Sequence, residues 1–136
     1  MTFLERFIAL RRSRFFDVMS DAELATLAEI VRESNFAPSA TVCDGGRVLE
    51  KVYVVTAGDV VRESGTSVPR CFGAASLLFG LPVRERLIAS SEEGAQCLVI
   101  RRPHFLTILR QFPCFLTPLI SISVDVVEVE TKGRAL

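Results

Sequence analysis

Residues Cys71–Arg86 read CFGAASLLFGLPVRER. Phe72-Gly73 opens the stretch, small residues follow, and an apolar turn leads to Gly80 and Pro82 ahead of Arg84-Glu85-Arg86. Glycines, alanines and clustered arginines at this density suit a loop that holds an anion. They equally suit a tight surface turn beside a core helix. The sequence on either side bears on the choice.

The chain has 136 residues, 49% of them hydrophobic and 24% charged, which is the composition of one ordered globular domain spanning 1–136. Lys+Arg and Asp+Glu both number 16, so a basic excess of the kind nucleic-acid binders carry is absent. Cys43, Cys71, Cys97 and Cys114 lie far apart without a CxxC pair, and His104 stands alone, so neither a metal site nor a cofactor is expected. The opening MTFLERFIALRRSRFF is broken by Glu5, Arg6 and Arg11, which leaves no signal-peptide core and no spanning segment. The cysteines therefore read as reduced thiols filling core volume in a cytoplasmic protein.

Phe3, Leu4, Phe7, Ile8 and Leu10 recur at helical spacing, and RRSRFF ends that helix. Ser20 and Glu23 stand three apart as a capping box for a second helix. There Leu24, Leu27, Ile30 and Val31 face the core, and Glu23, Glu29, Arg32 and Glu33 face water. Beyond Pro38-Ser39 the period shifts. Val48 and Val52–Val55 predict strands, punctuated by turns at Asp44-Gly45-Gly46 and Ala57-Gly58-Asp59. Glu93–Ile100 predicts a further strand. Pro103 suits the first turn of a helix with Phe105, Ile108, Leu109 and Phe112 on one face. In the tail, Ile120, Ile122, Val124 and Val126 alternate like a strand. Leu116, Leu119, Ile120, Ser123, Val124 and Val127 also fit a helical stripe, the preferred reading.

In this order the elements resemble the cyclic nucleotide-binding domain family, the sensor half of catabolite activator proteins. FFDVMSDAELATLAEIVRESNFAPSATV is similar to the family's opening, and GGRVLEKVYVVTAGDVV to its central strand pair, with Tyr53 and Gly58 in place. FGAASLLFGLP resembles the phosphate-binding cassette, and LVIRRPHFLTILRQFP the closing strand and helix. The resemblance covers about residues 10–120. It implies an α+β fold, a jelly-roll-like β-roll flanked by N- and C-terminal helices, with 121–136 as a lid, dimer or docking segment. It implies no catalytic residue. It places ligand binding in the cassette and the segment after it: Phe72, Gly73, Ala74, Ala75, Ser76, Val83, Arg84 and Arg86. There a helix N-terminus, a close-approaching glycine, an arginine and a ribose-binding glutamate would share a cyclic nucleotide.

Residue by residue, the pattern departs where binding would occur. The family's glutamate falls on Ala74 and its arginine on Val83. Glu85 puts a carboxylate near the expected phosphate. RESGTSVPRC is shorter than the family's connection, which trims one hairpin. Each lost charge-assisted bond is worth roughly 1.5–3 kcal/mol, which carries a micromolar ligand to roughly millimolar. Arg84 and Arg86 are the possible substitutes, but strand alternation puts both on the face opposite Val83 unless a bulge intervenes.

His104 has no sequence partner for catalysis and reads as a solvated surface histidine. RRSR at 11–14 and RER at 84–86 are either a solvated rim or a basic patch for an acidic partner. Two functional readings stand. One is a regulatory or protein-interaction domain that keeps the fold for its surfaces and does not bind cAMP or cGMP in the usual way. The other is a sensor that binds a cyclic nucleotide or related nucleoside through a modified cassette and signals through its C-terminal helix. Either implies a protein partner or larger host chain, with a homodimer through the C-terminal segment open. Neither implies nucleic-acid binding or membrane insertion.

Overall fold

KVYVVTAG (Lys51–Gly58) and AQCLVIR (Ala95–Arg101) are apolar at nearly every inner position, as strands buried on both faces must be. In the computed structural model, which describes residues 1–113, these are β3 and β7. They pair antiparallel, Val52 opposite Ile100, Tyr53 opposite Val99 and Val54 opposite Leu98, with a bulge between Val55 and Ala57. Period-two geometry then divides their side chains between two cores. Val52, Val54, Leu98 and Ile100 face a core shared with the helices. Tyr53, Val55, Cys97 and Val99 face the lumen of the β-roll.

The roll closes from two antiparallel sheets. One has the order β1-β7-β3-β5 and the other β2-β6-β4. Their remaining strands are β1 (Arg32–Phe36), β2 (Thr41–Cys43), β4 (Val60–Arg62), β5 (Cys71–Phe72) and β6 (Leu87–Ala89). After β4 the chain turns back at once: the Arg62 amide donates to the Thr66 carbonyl at 2.8 Å, and Val61 bridges Ser67. The second sheet therefore has three strands.

Helices α1 (Phe3–Arg12), α2 (Asp21–Ile30), α3 (Ala74–Phe79) and α4 (Arg102–Gln111) complete the described part. Both α1 and α2 open on capping boxes, Thr2 with Glu5 and Ser20 with Glu23. Phe105 and Ile108 of α4 enter the helix-side core, and Leu109 and Phe112 pack against it. No helix among the described residues is long and apolar enough to cross a membrane.

Four expectations require correction. The second helix stops at Ile30; Val31 is extended and Arg32–Phe36 forms β1, paired along β7 from Val99 to Ala95. RESNF lacks β-branched residues, so the ladder imposes the strand against local preference. Val48 lies in the exposed connection before β3, not in a strand. The strand read as Glu93–Ile100 is Ala95–Arg101, because Ser90–Gly94 closes the turn before it. His104 is half-buried instead of solvated, and its Nδ1 is buried without a hydrogen-bond partner among the described residues. The helix-or-strand alternative for the tail lies outside the described residues.

Two features set the margins of this fold. Gly94 has φ +72°, and a methyl there would overlap the Phe36 carbonyl. Gly94→Ala is expected to cost about 1–3 kcal/mol or more, read as a lower urea midpoint at unchanged slope. Glu33 of β1 accepts from the Met1 ammonium (2.7 Å), Gln96 Nε2 (2.7 Å) and Asn35 Nδ2 (3.3 Å). These donors hold its carboxyl down at about 2, against an ordinary 4.5. A depressed carboxyl stabilises the fold above its unfolded pKa, and that contribution is lost as pH falls from about 4.5 toward 2. Thermal midpoints measured down that range are expected to fall less steeply in Glu33→Gln than in the parent.

Candidate ligand-binding site

The cassette starts where β5 ends. Phe72 is fully buried in the roll, its ring stacked on Tyr53 with centroids 5.0 Å apart and planes 6° from parallel. Gly73 then caps α3 at φ +108°, and a Cβ there would stand 2.5 Å from the Lys51 carbonyl oxygen. Only glycine lets the chain turn this close beneath β3. The Phe-Gly pair is thus explained by packing and backbone geometry alone.

α3 straddles the two cores. Ala74 and Leu77 belong to the helix-side core, and Ala75 to the lumen. Ser76 is fully buried and satisfied on both sides. Its Oγ accepts from the Leu49 amide at 2.8 Å and donates to the Leu81 carbonyl at 2.7 Å, tying both ends of the cassette to the β3 approach.

Val83 is fully buried in the lumen cluster that also holds Leu49, Tyr53, Phe72 and Ala75. Its backbone is pinned at both groups: its amide donates to the Arg47 carbonyl (2.9 Å), and its carbonyl accepts from Gly46 (2.8 Å). Arg84 and Arg86 are exposed, and Arg86 reaches Glu63 at 3.7 Å. The Glu85 carboxylate accepts from the Ser64 amide at 2.7 Å, which turns it toward the β4 turn. The eight cassette positions are therefore together in space along the chain, but their side chains divide: Phe72, Ala74, Ala75, Ser76 and Val83 inward, Arg84 and Arg86 outward.

Sequence reasoning missed the partners that fill the site: the Leu49 amide, the Arg47 carbonyl and the Tyr53 ring. Leu49 and Arg47 lie in an irregular connection and contribute backbone groups, for which no side-chain signal exists. A 600 Å³ cleft borders this region, lined by Cys43, Asp44, Arg47, Leu49, Lys51 and Tyr53 among others, and by none of the cassette residues.

The chemistry available nearby is limited. Burial pushes the Tyr53 hydroxyl up to about 12, the Cys71 thiol to about 12 and the Cys97 thiol to about 11. Such thiols stay protonated at neutral pH and serve as small apolar side chains. Among the described residues, no three His, Cys, Asp or Glu side chains gather as a metal site.

Replacement at two of the inward positions tests this packing. Ser76→Ala strands the Leu49 amide and is expected to cost about 1–3 kcal/mol. Val83→Arg buries an unpaired charge in the lumen and is expected to cost at least as much. Denaturant unfolding of both variants checks the order.

The chain matches no protein-family model and no curated protein sequence. Solved structures do match. The regulatory domain of Toxoplasma gondii PKA, solved with cAMP, aligns at 18% identity and TM-score 0.69, over 79% of this chain and 45% of that one. The catabolite activator protein of Thermus thermophilus aligns at 18% and 0.62, over 76% and 53%. The regulatory subunit of a cAMP-independent protein kinase A from Trypanosoma cruzi, bound to guanosine, aligns at 19% and 0.64, over 80% and 44%. The chain thus spans about half the length of these proteins or less. With two antiparallel sheets rolled around one lumen, helices on one side and a short helix following the Phe-Gly turn, the chain has the cyclic nucleotide-binding-domain fold.

Proposed function

We propose that this chain is a non-catalytic regulatory or protein-interaction domain that does not hold cAMP or cGMP in the usual way. One observation carries the reading: Val83, on which the resemblance puts the family's phosphate-binding arginine, is fully buried in one cluster with Leu49, Tyr53, Phe72 and Ala75. A cyclic phosphate brought there would meet hydrocarbon, and the cost of desolvating an unpaired anion exceeds what the remaining backbone donors return. Ala74 in place of the ribose-binding glutamate removes the second anchor. Arg84 and Arg86, outward and on the polar side, do not replace either one.

Buried high-pKa thiols and a histidine whose Nδ1 has no hydrogen-bond partner among the described residues support a non-catalytic role. The solved chains of this fold are longer than the matched part, which supports a place in a larger chain or an assembly with a protein partner. A second reading has one observation in its favour. The same fold in the Trypanosoma cruzi subunit is bound to guanosine, a neutral nucleoside. A cassette without a phosphate clamp is compatible with such a ligand, provided Val83 and its neighbours yield the space.

Thermal shift with cAMP, cGMP and guanosine at about 1 mM separates the readings. A ligand with a Kd of about 10 µM would stabilise by about 2.7 kcal/mol, a shift of several degrees. No shift with any of the three is expected. A shift of several degrees with cAMP or cGMP overturns the proposal, and one with guanosine alone establishes the nucleoside reading.

A further inference from the structure

A cleft of 740 Å³ runs between α1 with the turn after it and the edge of the β1-β7-β3-β5 sheet. It shares no residue with the cassette. Ile8, Phe15 and Pro69 give it an apolar floor. Arg12, Arg14 and Arg70 ring it. Glu5 is its one lining carboxylate, and that group is engaged at 2.7 Å with the Thr2 amide of the α1 cap. Arg70 leans on the Gly58 carbonyl at 3.2 Å. Arg12 and Arg14 are exposed, and their side chains make no ion pair or hydrogen bond among the described residues.

The apolar surface continues out of the cleft along α1, where Phe3, Leu4 and Ile8 are 41%, 62% and 41% exposed. One small helix therefore presents an uncovered apolar stripe that runs into a groove with unpaired cations on its rim. Scattered exposed apolar residues are ordinary; a continuous patch with a charged rim calls for a cover. The cover it calls for is apolar along its length and acidic at intervals.

This chain contains such a segment. Residues 119–130 read LISISVDVVEVE: seven aliphatic side chains, with Asp125, Glu128 and Glu130 as its only charged groups. Asp125 lies twelve residues beyond Pro113, where the described part ends. That stretch spans up to about 40 Å when extended. A domain of this size has a radius of gyration of about 13 Å, so most of its surface lies within reach.

We propose that residues 119–130 of the same molecule dock in the α1 cleft, setting their aliphatic side chains on Ile8, Phe15 and Pro69 and their carboxylates against Arg12 and Arg14. The C-terminal segment then covers the N-terminal helix from within, leaving the cassette face unobstructed.

Charge reversal in the full chain tests the docking. The variants are Arg12→Glu with Arg14→Glu, Asp125→Lys with Glu128→Lys, and all four together. Either pair alone is expected to lower the thermal midpoint by roughly 3–6 °C, and the fourfold swap to restore most of the loss. Backbone hydrogen exchange across residues 3–15 is expected to quicken in each pair and to slow again in the swap, a readout that a change in α1 helicity alone would not reverse. Additive losses without rescue overturn the proposal. So does exchange that is indifferent to the tail charges. A doubled mass by light scattering, with rescue only at high concentration, would assign the cleft to a second copy and overturn docking within one molecule.

Discussion

Everything in this domain hangs on one ladder that is buried on both sides. β3 and β7 lend alternate side chains to two separate cores, so neither core exists unless this pair is in register. A slip of one residue would send Val52 and Val54 into the lumen and Tyr53 and Val55 under the helices, exchanging both cores at once. The bulge after Val55, where the Thr56 hydroxyl donates to the Gln96 carbonyl at 3.0 Å, fixes that register at the open end. At the other end Lys51 faces Arg101, and the Arg102 amide donates to the Glu50 carbonyl.

The cassette is subordinate to that ladder. Gly73 passes beneath Lys51, Ser76 binds the Leu49 amide, and Phe72 stacks on Tyr53, so the cassette is locked to the start of β3 and the connection before it. An arginine at position 83 would need a permanent anion to be tolerated in that lumen. A valine needs none, and it makes the lumen cohesive on its own. Val83 and its neighbours pack as ordinary core, so this part of the fold needs no charged guest for its cohesion.

Much of this was legible in the sequence. Ser20 with Glu23 announced α2, Pro103 announced α4, and the order of Phe-Gly, small residues and Gly-Leu-Pro carried the resemblance to the fold. What escaped had physical reasons. β1 has a polar sequence, RESNF, and becomes a strand only because β7 offers it a ladder. Val48 has a strand former's side chain but sits in a connection whose amides and carbonyls serve the cassette. His104 follows two arginines and a proline, a context that says nothing of the neighbours closing over its Nδ1. Alternation also pointed Arg84 and Arg86 outward, but they lie in a bend before β6 and not in a strand, where the Glu85–Ser64 bond depends on the shortened turn after β4. Backbone partners and long-range ladders leave no local signature, and these account for the misses.

The placement of β7 has a kinetic consequence. Its partners β1 and β3 are made early in the chain, but β7 itself lies near the end of the described part, so every pairing it makes is long-range. Domains dominated by such contacts fold slowly, because the cost of closing large loops comes before the contacts reward it. On the ribosome, β1 and β3 emerge with apolar or unpaired edges and nothing to cover them until Arg101 has followed. The two capped helices at the front can form at once and shelter part of that surface, yet the roll itself closes only after nearly all of its chain has been made.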